Sequence, residues 1–535
     1  MEGEEVYRRR WWILAVLCLS VVIVQLGNLI LIVALPTIQQ DLGASPSELQ
    51  WMVDAYTLVF AALLFTSGSL GDRFGRKLAL TTGLGFFGLA SLVTAFSVNP
   101  EMLIAFRAVM GVGAALILPA TLAIINNVFP PQERGKAIGI WAGMLGISIP
   151  LGPVISGILL EIFWWGSVFI INVPIAVVAL GLGRLLVPES RDSDAPRPDI
   201  PGALLSIAGL AVVVYGVISA SDEGWIDPSV LLAIGGGLLI LVLFVGWELW
   251  TEHPMVPMRF FRIPAFGGAA ATMLLLAFSM FGVAFMLTLY LQNVLGYGPL
   301  AAGLRLVPMF TVAIGAPLGA SLTRRVGRKV TVPMGLFIAA FGLFAVSTLT
   351  ISSEARILWA LAIMGLGLGT AMSPTVDALL GSIPREKSGV GSAAQQTSIQ
   401  LGGTLGVAML GSVLYSTYAD SVEGSVSGLP IPEAARGAIT DSLAAAIQVA
   451  QQVGGPAGGQ LAEAAREAFV EGMGVATLTA VGLMLAAAMV AAISLPNKDP
   501  KPELPPRPTP TSTISSEYSA TAQQKPAKEA KWRSR

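Results

Sequence analysis

Charge is what this sequence has least of. Only 12% of its 535 residues are Asp, Glu, Lys or Arg, while 54% are hydrophobic. A soluble domain carries about 25% charged residues, so the chain reads as an integral membrane protein. A net charge of −1 gives nucleic acid no footprint. Cysteine occurs once, as Cys18, which excludes an internal disulfide. Histidine occurs once, as His253 in a polar stretch, and reads as a loop residue rather than a ligand. No metal-ligand cluster, C-x-x-C pair, nucleophile elbow or phosphate loop is present. No enzyme, cofactor or metal chemistry is therefore expected. A cleavable signal is missing too. Arg8, Arg9 and Arg10 precede an apolar run with no small-residue cleavage site, which reads as a retained first span.

Long apolar runs are what the chain has in abundance. A span needs about 20 apolar residues. Fourteen such runs are expected, at 12–34, 50–70, 78–98, 102–126, 136–160, 165–187, 202–220, 229–249, 265–291, 300–321, 330–350, 356–380, 388–415 and 472–494. Threading these spans puts 27 of the 32 Lys and Arg on the side of both termini. Arg356, Arg436 and Arg466 lie opposite, and Arg107 and Arg305 lie within spans. Basic residues stay in the cytoplasm, so both termini are expected there. The expected fold is an all-α polytopic bundle of fourteen helices arranged 6+2+6. Its divisions are a six-helix bundle at 1–190, a two-helix insert at 191–262, a second bundle at 263–495 and a disordered cytoplasmic tail at 496–535. The polar gap 416–471 suggests an outer helical hairpin over the pore mouth. Leu443, Ile447 and Ala450 share one helical face there, and Leu461, Ala465 and Phe469 another. Asp441 is placed to cap the first of these helices, and Gly454–Gly459 to break between them.

One stretch between the second and third spans organises the rest: Gly68-Ser-Leu-Gly71-Asp72-Arg73-Phe-Gly75-Arg76-Lys77. Its charges mark water, and its glycines let helix ends approach closely. A weaker echo, Ser321-Leu-Thr-Arg324-Arg325-Val-Gly327-Arg328-Lys329, follows about 250 residues later and suggests a duplicated bundle.

Charges inside spans are costly and so informative. Asp54 lies about one turn inside span 2, and Arg107 one to two turns inside span 4. Both enter from the same side at similar depth, close enough to meet. Burial raises a carboxylate's affinity for a proton and a neighbouring guanidinium lowers it, so a group balanced between them suits a proton carrier. A static Asp–Arg pair locking two helices is the alternative. Asp377 reads better as a cap or packing acid. Span 5 gathers Gly146, Pro150, Gly152, Pro153 and Gly157, a pattern that packs tightly and bends, as a gating helix would. Gln25, Asn28, Trp141, Met144, Phe278, Phe281, Phe285, Gln396 and Gln400 are candidates to line a substrate cavity, although a Met/Phe stripe alone is more often core packing.

Several of these motifs resemble a known family. The 68–77 stretch resembles the GxLaDrxGrk motif of the major facilitator superfamily. Arg107, Gly111 and Gly113 are similar to its RxxxGxG pattern. Gly152-Pro153 with Ser156-Gly157 resembles its antiporter motif. Phe169-Ile-Ile-Asn172-Val-Pro174, Val187-Pro-Glu-Ser190 and Gly296–Pro308 are similar to the fourteen-span drug:proton antiporter branch. The resemblance implies proton-driven export of lipophilic, often cationic compounds. It implies proton coupling at Arg107, and one charge network for alternating access built from Gly68, Asp72, Arg73, Gly75, Arg76 and Lys77 with Glu133 and Arg134. It also implies an acid about nine residues before the Ala34-Leu35-Pro36 triplet. Gly27 stands there instead, followed by Asn28.

The expected protein is a monomeric multi-pass exporter in the plasma (inner) membrane. Its partners are a small-molecule substrate, protons and the lipid bilayer. An exporter of lipids or metabolites, and a non-transporting sensor or scaffold, are the alternatives.

Overall fold

The computed structural model describes residues 2–191, 199–251, 254–256, 258–351, 354–383, 388–426 and 433–497, and every regular element in them is helical. The expected tail beyond residue 497 and the loop role of His253 lie outside the described residues. In chain order the helices are α1 (Glu2–Leu42), α2 (Pro46–Phe74), α3 (Arg76–Ala95), α4 (Pro100–Val128) and α5 (Pro131–Ile162). Next come α6 (Ser167–Leu186), α7 (Ile200–Glu223), α8 (Pro228–Trp250), α9 (Pro264–Val294) and α10 (Pro299–Val326). The last group is α11 (Arg328–Ser347), α12 (Glu354–Gly381), α13 (Ser388–Val426), α14 (Glu433–Asp441), α15 (Leu443–Val453) and α16 (Gly455–Ser494). Among the described residues, thirteen helices are long and apolar enough to span, and α5, bent by 44° between Ser148 and Leu151, makes the fourteenth. Two prolines, at 150 and 153, lack the amide donors that would carry the helix ladder through that region.

Local chemistry sets the starts. Ser45 and Glu48 form a reciprocal capping box on α2, and Asn99, Asp199 and Asp227 cap α4, α7 and α8. Proline stands at the first or second helical position after each of these caps, where its missing donor costs nothing. The turn between α2 and α3 is a single residue, Gly75, at φ +126°. Gly327 repeats it between α10 and α11 at φ +84°. Only glycine adopts these angles without strain. The 68–77 stretch is thus helix on both sides of one glycine, not a loop. Its charges end the apolar run but not the hydrogen-bonded ladder.

Small residues then bring backbones together. A Cβ at Gly111 would lie 2.6 Å from the Tyr56 carbonyl oxygen, which locks α4 on α2. Cβ atoms at Gly402 and Gly406 would lie 2.1 Å from the carbonyls of Leu274 and Phe278, which locks α13 on α9. The two bundles meet at the end opposite the Gly75 and Gly327 turns. There Gly157 of α5 abuts Leu300 of α10, Gly303 abuts Pro153, and Gln292 Nε2 donates to the Val33 carbonyl at 2.8 Å. Toward the Gly75 end, the positions of Gly135, Gly139, Gly143 and Gly146 on α5 face open space. The structure is closed at one end and open along α5 at the other.

The two-helix insert is not a free appendage. Val213, Val214, Val217 and Ile218 of α7 form a small core with Leu58 of α2 and Ala408 of α13. α7 therefore braces both bundles, while α8 leaves most of its apolar surface outward. In the polar gap, α13 continues to Val426, and α14 and α15 lead into the long α16. Leu443 and Ala450 are buried and Ile447 half-buried on α15, and Leu461, Ala465 and Phe469 are buried on α16. The cap of α15 is Ser442, whose hydroxyl accepts from the Ala445 amide, and not Asp441, which ends α14. The break is Gly454, at φ +62°, and Gly455 already starts α16.

The closed end leaves no room for a methyl group at Gly303, 2.4 Å from the Pro153 carbonyl oxygen. Gly303→Val is expected to push the closed end apart. Thiol labelling at Ala302→Cys, fully buried on α10 beside Gly303, in a Cys18→Ser background, should rise several-fold. Unchanged labelling would contradict this packing.

Candidate functional site

The faces of α2 divide the work. Met52, Tyr56 and Phe60 look to α1 and α4. Leu58 looks to α7. Gln50, Asp54 and Thr57, spaced by four and three residues, share a third face. Both ends of that face touch α13. Gln50 lies against Gly411, where a Cβ would be 2.8 Å from its side-chain amide carbon. The hydroxyls of Thr57 and Thr404 are hydrogen-bonded at 2.7 Å. Asp54 sits between these two contacts, fully buried, and neither carboxylate oxygen has a hydrogen-bond partner. Both polar atoms of the Gln50 amide are also buried without a partner. An ionised carboxylate so enclosed is costly, because nothing replaces the water it lost.

Arg107 is buried as well, but it does not meet Asp54. Its Nε donates to the Met52 carbonyl at 2.9 Å and its Nη1 to the Gly27 carbonyl at 2.6 Å. The guanidinium lies 4.4 Å from the Tyr56 ring centroid, and Tyr56 donates its hydroxyl proton to the Val24 carbonyl at 2.9 Å. Backbone dipoles and a ring face hold this cation, so α1, α2 and α4 are pinned together around it. The expected Asp54–Arg107 contact is not formed, because Arg107 turns to the opposite face of α2.

Gly27 explains the missing acid of span 1. A Cβ there would lie 2.6 Å from the tip of the Phe87 ring. Phe87 itself is fully buried on α3, edge-on to Tyr56. The phenyl ring fills the volume a span-1 side chain would take. The Gly27 carbonyl, rather than a carboxylate, meets Arg107.

The charges near the Gly75 turn form two separate sets rather than one network. Arg76 Nε donates to Asp72 at 2.8 Å, one helical turn away, and Glu189 accepts from the Lys77 amide at 3.2 Å. Glu189 also crowds Gly75, where a Cβ would be 2.6 Å from its carboxylate. Arg73 stacks on Phe74. Glu133, at the start of α5, pairs instead with Arg10 of α1 at 2.7 and 3.2 Å, and Arg134 donates to the Phe129 carbonyl. Glu133 is thus taken up by α1 and Arg134 by the carbonyl at the end of α4, and neither pairing involves the α2–α3 turn.

The pattern of the Major Facilitator Superfamily matches residues 17–407. The chain belongs to the Major Facilitator Superfamily. It is a multi-pass membrane transporter. It is 34% identical over 496 residues to the tetracenomycin C resistance and export protein of Streptomyces glaucescens, covering 90% of this chain and 91% of that one. It is 35% identical to a multidrug efflux pump of Mycolicibacterium smegmatis, covering 91% of this chain and 96% of that one. The methyl viologen resistance protein of Salmonella typhimurium is 33% identical, with 89% and 96% covered. Among solved structures, a bacterial homolog of the human lysosomal transporter Spinster superposes with a TM-score of 0.65 at 17% identity, covering 91% of this chain and 98% of that one. A D-xylose–proton symporter superposes with a TM-score of 0.57 at 14% identity, covering 91% and 98%. These two show the superfamily fold.

Within that fold the proposed cavity residues divide. Gln25, Trp141, Met144 and Gln396 are half-buried, and Trp141 Nε1 donates to Thr121 at 3.1 Å. Asn28 and Gln400 are buried, each with one amide atom lacking a partner. Phe278, Phe281 and Phe285 belong to the packed core between α9 and α13, with exposures of 4%, 8% and 0%. Gly406 of α13 seats on the Phe278 backbone and Gly403 on the Phe281 ring, and with all three rings buried they form no open wall here. On α5, Gly152 packs on Leu29 of α1, whereas Pro153 and Gly157 meet α10. The open-facing Gly146 lies on the other limb of the bend. Gln50, Thr57, Thr404 and Phe87 were missed from sequence. The first two carry a signal, since they share the spacing of one helical face with Asp54. Phe87 carries none, because only the tertiary structure sets it beside Gly27.

Gly27→Asp alone is expected to lower thermal stability in detergent, by about 1–3 kcal/mol of overpacking. Combining it with Phe87→Ala should cost less than the two single effects together. Additive losses would show that the ring does not occupy the side-chain volume of position 27.

Proposed function

We propose that this transporter exports amphiphilic small molecules across the plasma membrane in exchange for protons, by alternating access, with Asp54 as the proton carrier. The observation that carries the reading is the Asp54 carboxyl, enclosed without a partner on the face where the two bundles meet. Such a group tolerates charge only when its surroundings change. The names of the relatives, which speak of export, multidrug efflux and resistance, support the cargo class. The excess of basic residues on the Gly75 side supports placing that side and both termini in the cytoplasm. The structure is then open to the cytoplasm and closed to the exterior. The Gly75 and Gly327 turns, and the Arg10–Glu133 pair, sit at the end that must close in the other half of the cycle. The chain works as a monomer in this scheme, each copy holding both bundles.

The driving force suffices. One proton descending 100 mV releases about 2.3 kcal/mol, and each tenfold gradient costs about 1.4 kcal/mol. One proton thus supports roughly a fifty-fold solute gradient. Gly27 refines the cargo. With a phenyl ring where a span-1 acid would stand, no carboxylate there attracts a cation, which favours cargo recognised by shape and apolar surface.

Asp54→Asn is expected to reduce proton-driven dye efflux from energised cells at least tenfold, to the level a protonophore leaves in the wild type. Asp54→Glu should retain part of the activity. Wild-type efflux from the Asn variant would overturn the assignment of Asp54.

A further inference from the structure

Resting on Asp54 as the proton carrier, a more specific device follows from its neighbour. We propose that Gln50 is the hydrogen-bond donor for the charged form of Asp54. Gly411 holds it off while α2 and α13 are closed, and it is released when they part. The α2–α13 seam is then a lock operated by one proton.

Gln50 and Asp54 are four residues apart on α2, the spacing at which a glutamine amide reaches a carboxylate one turn on. They make no such bond here. The carboxylate oxygens of Asp54 and both polar atoms of Gln50 are buried and unpartnered. The reason is geometric. The Gln50 amide lies in the slot left by the missing side chain of Gly411, with Cγ, Cδ and Nε2 within 2.8–3.2 Å of a Cβ built there. The slot keeps its place because the Thr57–Thr404 hydrogen bond, two turns along, fixes α13 against α2. Leu58 and Ala408 add the brace of α7. In the closed seam Asp54 therefore has no donor, and a proton must neutralise it. When α13 withdraws, the slot goes with it. Gln50 is then free to turn its amide onto the carboxylate, and water reaches both. Closure and proton binding favour each other, so by linkage the closed seam holds its proton more tightly. Cargo entering from the open end has to displace that proton.

Among the described residues no other charge takes this role. On α2 itself, Glu48 accepts from the Ser45 amide at the helix start, and Asp72 and Arg73 lie at the far end. On α4, Arg107 is committed to the Gly27 and Met52 carbonyls, and Glu101 starts the helix near its exposed end. α13 brings Tyr415, Tyr418, Asp420 and Glu423, all beyond Gly411 toward the closed exterior. α7 brings Tyr215, which is exposed, and Asp222 and Glu223 at its end. α3 brings Arg76 and Lys77 at the far end of α2. α1 brings Glu2, Glu4, Glu5, Tyr7 and Arg8 to Arg10 at one end, Cys18 between, and Asp41 at the other.

The test reads the seam itself. Spin labels at Ser47→Cys on α2 and Asp420→Cys on α13, in full-length Cys18→Ser protein in nanodiscs, report their separation by double electron–electron resonance as pH is varied. The wild-type background should show the short distance at low pH and a longer one as pH rises. Asp54→Asn should hold the short distance at every pH. Gln50→Leu removes the donor that stabilises the open, ionised form, so its transition should move up by about one pH unit or more. An unchanged midpoint in Gln50→Leu, or a wild-type distance that ignores pH, would overturn the lock. If the distance ignores pH while Asp54→Asn still loses antiport, the lock falls and the carrier stands. If Asp54→Asn keeps antiport, the carrier itself falls.

Discussion

An acid enclosed without a donor is the constraint on which this molecule turns. Asp54 has no partner because the face it shares with Gln50 and Thr57 is pressed onto α13. That pressing depends on glycine at many points. Gly402 and Gly406 seat α13 on α9, Gly411 accepts Gln50, and Gly303 and Gly157 let α5 and α10 meet backbone to backbone. Apolar burial gives little preference between protein and lipid, so close backbone packing decides where these helices go. The same packing excludes water from the carboxyl. Structure and proposed chemistry are therefore one arrangement seen twice.

Two charges lie inside the first bundle, and the protein treats them differently. Arg107 is held through Nε and Nη1 by the Met52 and Gly27 carbonyls and lies over the Tyr56 ring, contacts made wholly within that bundle, while its Nη2 is buried without a partner. Rigid rocking of one bundle against the other leaves them intact, which suits a fixed anchor. Asp54 faces across the boundary between bundles, so the same motion changes its surroundings. The exchange at Gly27, where a phenyl ring replaces a side chain and a carbonyl replaces an acid, reinforces the division. In the proposed cycle the proton-carrying acid therefore stands on span 2, as Asp54, and not on span 1. The open stripe of Gly135, Gly139, Gly143 and Gly146 on α5 is the matching surface on which the other end would close.

Hydropathy made the fourteen spans legible, and the α5 bend falls among the prolines that sequence marked. Helix ends were less legible. Charges at 72–77 stop an apolar run, yet α2 and α3 continue through them to Gly75, because a helix in water keeps its ladder. The α15 cap moved from Asp441 to Ser442 for the same kind of reason: either residue type can cap, and only the backbone angle chooses. Tertiary pairings were not legible. Nothing in the order of residues says that Phe87 fills the place beside Gly27, that Glu133 pairs with Arg10, or that Phe278, Phe281 and Phe285 are buried in the core. The face of Gln50, Asp54 and Thr57 was available from spacing alone, but a polar stripe becomes a site only when its facing helix is known.

The central claim is that cargo and proton compete through Asp54. The direct measurement is proton release on addition of a transported dye to the purified protein in weakly buffered detergent. The account predicts release from the wild type, saturating with the dye, and none from Asp54→Asn that still binds the dye. Equal release from both proteins would contradict it.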